Sequence, residues 1–154
     1  VTITSGDGKV STGTPLISSV APGLFSANSD GLGVAAATAV RMKADGTQIS
    51  EAVAQFDPVQ NKFVTLPLDL GPEGEQVFLI LYGCGIRFRS NLSAVLVKIG
   101  GVDMEVQFAG PQGFFVGLDQ INIPLPRSLA GRGDLDINLT VDGKAANVVQ
   151  VGFK

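Results

Sequence analysis

Apolar and polar residues alternate with a period of two through several stretches of this chain. Val102, Met104, Val106 and Phe108 are separated by Asp103, Glu105 and Gln107. Leu135, Ile137, Leu139 and Val141 are interleaved with Asp136, Asn138, Thr140 and Asp142. Ile121, Ile123 and Leu125 follow the same rule, as do Val149, Val151 and Phe153. Because successive side chains of a strand point to opposite faces, each stretch predicts a strand with one face in a core and one in water. The run 77–82 differs, being apolar at every position. It predicts a central strand covered on both faces. Further strand-like stretches fall around 34–42, 47–56, 62–68 and 94–99, and the small-residue run Ala35, Ala36, Ala37 is compatible with either a helix or a strand. No long amphipathic helix is expected.

Turn chemistry connects these segments. Gly100 with Gly101, and Asp142 with Gly143, sit between apolar runs as two-residue hairpin signals, since a type I′ turn needs positive φ at both central positions. Asp45 with Gly46 and Asp7 with Gly8 are weaker copies. About nine short strands with turn signals at roughly 8–12-residue spacing read as an all-β, antiparallel β-sandwich of the immunoglobulin-like kind.

The first eighteen residues carry an internal echo. Ile3, Thr4, Ser5, Asp7, Gly8, Lys9, Val10 and Ser11 match Leu139, Thr140, Val141, Asp142, Gly143, Lys144, Ala145 and Ala146 once Gly6 is counted as an insertion in the turn. The expected organisation is therefore a strand pair in 1–18 that is the tail of a preceding, similar repeat, followed by one sandwich domain over 19–154. The start at Val1, with no basic and apolar leader, agrees with a piece of a longer exported polypeptide.

Composition narrows the chemistry. A chain of 154 residues hides roughly 70% of its unfolded surface and needs no staple. Its single cysteine forbids an internal disulfide, and with no histidine it supplies neither a Ser-His-Asp triad nor a histidine-ligated metal. A net charge of −3 lacks the basic footprint of a nucleic-acid binder. No apolar run approaches the ~20 residues that span a bilayer.

Several ordered stretches carry a resemblance: Ser19 through Phe25, Leu81 through Arg87 around Gly83 and Gly85, Val97 through Val102, Phe108 through Pro111, and Gly117 through Pro126. Together they resemble an uncharacterised immunoglobulin-like C-terminal domain family of secreted Solibacter and other Acidobacteria proteins, over roughly 19–154. That family often has threonine where this chain has Cys84. The resemblance implies a bacterial, extracellular or cell-surface β-sandwich in a larger exported protein, and it implies no activity.

Candidate chemistry is sparse. Gly31, Gly33 and Ala36, with Glu51 further on, fit a dinucleotide fingerprint, but no buried parallel strand precedes them and no helix is expected after them. Asp134, Asp136 and Asn138 have calcium-loop spacing without the glycine and the closing glutamate such a loop requires. Arg132, Gly133 and Asp134 spell an adhesion tripeptide that short loops produce by chance. Cys84 has no activating base and reads as a small buried residue. Asp119 stands alone as an acid, so it cannot divide acid and base roles with a partner. It is expected, with Gln120 and Asn122, to satisfy the backbone of neighbouring loops. Phe114 and Phe115 are adjacent, so one ring is expected in the core and the other at the surface, where with Arg87 it forms a candidate binding patch.

The expected function is a non-catalytic spacer or docking module, with no cofactor or metal. Its partners would be neighbouring domains of the same polypeptide or an extracellular glycan or protein, with no nucleic acid and no membrane insertion. The alternative is a module that binds extracellular polysaccharide or cell wall, and the feature that separates the two is a concave aromatic or acidic cleft among the loops.

Overall fold

The computed structural model describes residues 1–154 and is all-β, with antiparallel pairing throughout its strands. In chain order the strands are β1 (Thr2–Thr4), β2 (Val10–Thr12), β3 (Gly23–Leu24), β4 (Ala37–Met42), β5 (Gln48–Ala52), β6 (Ala54–Asp57), β7 (Lys62–Thr65), β8 (Gln76–Cys84), β9 (Val95–Ile99), β10 (Val102–Met104), β11 (Phe108–Pro111), β12 (Asp119–Pro124), β13 (Gly133–Val141), β14 (Lys144–Ala145) and β15 (Val149–Phe153). The only helical elements are two short 3-10 turns, Leu92–Ala94 and Arg127–Leu129, so no helix is long and apolar enough to cross a membrane.

Two sheets enclose the core. One runs β11-β12-β8-β4-β5, with β3 added beside the end of β8; the other runs β10-β9-β13-β14, with β15 following β14 along the far side of β13. A single cluster of buried side chains joins them, with Leu79, Leu81, Ile121 and Ile123 from the first sheet meeting Val97, Ile99, Ile137 and Leu139 from the second. The alternation predicted for 135–141, 121–125 and 149–153 is seen in the inward side chains: Ile137, Leu139, Val141, Ile121, Ile123, Val149, Val151 and Phe153 are buried, whereas Asp136 and Asn138 face water; Gly152 departs from it and is buried between Val151 and Phe153. Both two-residue turns have the required geometry, with φ of 57° and 83° at Gly100 and Gly101 and of 49° and 76° at Asp142 and Gly143.

Four expectations need correction. The strand expected over 102–108 is two strands in different sheets: β10 pairs with β9, the chain crosses at 105–107, and β11 pairs with β12. The crossing shifts the inward side, so Ala109 is buried and Phe108 is exposed. The stretch 47–56 also divides, because Val53 drops into the core between β5 and β6. The strand β8 is central, between β12 and β4, but is covered on one face only. Val77, Leu79 and Leu81 are buried, while Phe78, Ile80 and Tyr82 lie half-buried on an outer face that no further layer covers. Cys84 continues that outward parity and is exposed rather than buried. It is therefore expected to react fully with an aromatic disulfide reagent without denaturant, and a thiol that reacts only after unfolding would contradict this orientation.

The hairpin β1–β2 stands apart. Its pairing is self-contained, with Ile3 opposite Ser11, and all of residues 1–19 are exposed. The chain then enters the sandwich where Ala21 N–H donates to Gly85 O at 3.1 Å, beside the end of β8.

Candidate functional site

Strands β8, β11 and β12 finish or begin at one end of the sandwich, because Gly83 and Pro111 both lie opposite Asp119 in the registers of their pairs. The β8–β9 loop and the β11–β12 loop therefore emerge side by side. Asp119 ties them together. Its carboxylate is 0% exposed and accepts from the N–H groups of Ile86 at 2.8 Å and Arg87 at 3.2 Å, and from Arg87 Nε at 2.7 Å. The same guanidinium donates through Nη2 to Leu118 O at 2.9 Å. Arg87 is thus a brace between two loops, its Nε and Nη2 donating to Asp119 and Leu118. Gln120 and Asn122 bond each other, Nε2 to Oδ1 at 2.6 Å, on the outer face of β12. Of the three polar residues expected to bond loop backbone, Asp119 does so.

Beyond this brace lies an apolar tip. Gly113 and Gly117, at φ of 102° and 84°, bracket Phe114, Phe115 and Val116. Gln112 N–H donates to Leu118 O at 3.0 Å and Leu118 N–H to Phe115 O at 3.3 Å, which closes the loop; Gln112 Oε1 accepts from Phe114 N–H at 3.0 Å. The two phenylalanines are 89% and 70% exposed, and Val116 is exposed in full. The expectation that one ring enters the core fails, because alternation applies to extended strands and these residues form a turn. Phe88, also exposed, projects from the adjoining β8–β9 loop between Arg87 and Arg89. Consecutive large apolar side chains held out by a bonded loop are unusual, since monomeric surfaces seldom cluster such groups.

A second feature lies elsewhere. The largest cleft, about 510 Å³, opens among the 28–34 loop, the β6–β7 hairpin and the β13/β15 edge, and includes Asp30, Lys62, Phe63 and Asp134. Most of its polar groups are engaged with the protein itself. Asp30 accepts from Leu32 N–H at 2.9 Å and Ser26 Oγ at 2.8 Å, and these bonds, the backbone one first, hold its carboxyl below the ordinary aspartate range. Thr65 Oγ1 donates to Asp134 Oδ1 at 2.7 Å, and Asn28 exchanges bonds with the backbone of Phe63 at 2.7 and 2.9 Å. Phe63 packs in a T-shaped pair with Phe56, ring centres 5.5 Å apart. Gly31 and Gly33 belong to the loop beside this cleft, with positive φ and no helix after them, so the dinucleotide context is absent. Arg132 donates to Gly100 O at 3.0 Å and Asp134 is held by Thr65, so the adhesion tripeptide is tied into the start of β13. No three acidic or cysteine side chains converge to hold a metal ion.

Comparison with protein-family models, with curated proteins and with solved structures finds no match for this chain.

Proposed function

We propose that this chain is a non-catalytic, immunoglobulin-like spacer and docking module of a larger exported bacterial protein, and that it docks through the apolar end built by Phe114, Phe115, Val116 and Phe88. The single observation carrying the reading is the Gly113-to-Gly117 loop, which spends three consecutive large apolar residues on solvent while hydrogen bonds hold it closed. A loop that served only to connect β11 and β12 would gain solubility from polar residues there. The brace of Asp119 and Arg87 fixes the platform beneath, so little flexibility is lost when a partner covers the tip. The partner class is a neighbouring extracellular domain of the same polypeptide.

Changing Phe114 and Phe115 together to Ser is expected to leave the melting temperature of the 154-residue chain within about 2 °C of the parent, because exposed side chains away from the core contribute little to stability. In the parent polypeptide the same double change is expected to loosen the domain against its neighbour, read as a larger radius of gyration in solution scattering. Unchanged scattering would remove the docking role.

The polar cleft at Asp30 and Phe63 favours the second reading, a module that binds extracellular polysaccharide. A glycan-array screen decides it: binding that is lost with Phe63→Ala and kept with the Phe114 and Phe115 changes would put this reading first.

A further inference from the structure

The β1–β2 hairpin repeats the β13–β14 hairpin in three dimensions as well as in sequence. Thr4 pairs with Val10 as Thr140 pairs with Ala145. Ile3 lies opposite Ser11, and the matching Leu139 carbonyl accepts from Ala146 N–H at 2.9 Å. The register is the same on both sides of a turn that differs by the inserted Gly6. Carried one step further along the strand, the match sets Val1 over Ile137 and Ile3 over Leu139.

The surroundings of the two hairpins are opposite. Ile137 and Leu139 are 0% and 1% exposed in the centre of the core, whereas Val1 and Ile3 are 70% and 64% exposed. Val10, Leu16 and Ile17 are exposed as well. A two-stranded hairpin on its own is at best marginally stable in water, and one with an apolar face needs something to cover it. This sandwich cannot be that cover, because its own β13–β14 hairpin already fills the equivalent place in the core.

We infer that residues 1–18 are the closing hairpin of a second sandwich of the same kind, which Val1 and Ile3 enter as core residues. The inference rests on the spacer and docking reading and names its partner: a like domain joined through the short linker that passes Ser18 and Ala21. That linker enters beside Gly85, at the end of the sandwich from which the Phe114 and Phe88 loops also emerge. The second sandwich therefore sits against the apolar tip. Lys144 fastens the linker from this side through its bond to Val20 O at 3.0 Å, and Lys9 occupies the matching place in the first hairpin.

The test compares Ile3→Asp in the 154-residue chain with the same change in the gene's full polypeptide, both followed by differential scanning calorimetry. In the 154-residue chain the transition is expected to move by no more than about 2 °C. In the full polypeptide one separate transition is expected to fall by about 10 °C or more, or to vanish, while that of 19–154 stays in place. Amide exchange in the unchanged proteins gives a second reading that does not depend on the variant folding: Thr2–Thr4 and Val10–Thr12 are expected to be protected in the full polypeptide and unprotected in the 154-residue chain. A fall in the 154-residue chain itself, a full polypeptide without a preceding domain, or equal exchange in both would overturn the inference. The docking reading is judged separately by the Phe114 and Phe115 changes, so the two can fail independently.

Discussion

Replacing Asp119 with alanine is expected to lower the unfolding free energy by about 3–5 kcal/mol, the usual cost of removing one partner from a buried ion pair. The carboxylate is fully buried and receives three hydrogen bonds. Its loss strands the N–H of Ile86, a residue that is itself completely buried, and an unpaired buried donor alone costs about 1–3 kcal/mol. Arg87 is also left facing a cavity, although its partial exposure lets water relieve part of that charge. Arg87→Ala removes the other partner and leaves Asp119 with two backbone donors, so it is expected to cost less than the Asp119 change. Chemical denaturation of the two variants checks both the size and the order. A cost below about 1 kcal/mol for Asp119→Ala would mean that the two loops are positioned by something else.

Gly85→Ala is the second large effect. Gly85 has a φ of 72°, where a side chain costs about 1–2 kcal/mol, and a Cβ there would fall on the carbonyl of Ala21, 2.6 Å from its carbon. The obstacle is backbone, held by the Ala21-to-Gly85 hydrogen bond, so relief requires the entering linker to move. Overpacking of that kind adds about 1–3 kcal/mol, for a total of about 2–5 kcal/mol. Gly117→Ala is the control. Its φ is similar at 84°, but nothing lies within 4 Å of the added carbon, so only the conformational cost of about 1–2 kcal/mol is expected. Equal losses at both glycines would show that the linker is not packed against β8.

Much of the scaffold is legible in the sequence because its signals are local. The alternation at 135–141 and the Gly100-Gly101 and Asp142-Gly143 turns each specify their own geometry, and burial follows parity. Legibility fails where a local pattern crosses a non-local boundary. Val102 through Phe108 alternate without interruption, so nothing in the sequence marks the passage from one sheet to the other at 105–107. The run 77–82 is apolar on both sides, yet it belongs to a two-layer arrangement in which its outer face stays open. That same parity exposes Cys84. Phe114 and Phe115 were readable as a pair, and the glycines at 113 and 117 were the available signal that they form a turn tip instead of a strand. The bond between Arg87 and Asp119 joins positions far apart in the chain, and no periodicity encodes it. Asp30 and Asp134 line one cleft for the same topological reason.

Under the proposed docking role, a neighbouring domain covers the Phe114 to Val116 tip. Hydrogen–deuterium exchange of the 112–118 loop, measured in the parent polypeptide and in the 154-residue chain, tests it most directly. Slower exchange is expected across this loop in the parent polypeptide, with the core strands β8 and β13 unchanged between the two. Equal exchange of the loop in both would contradict it.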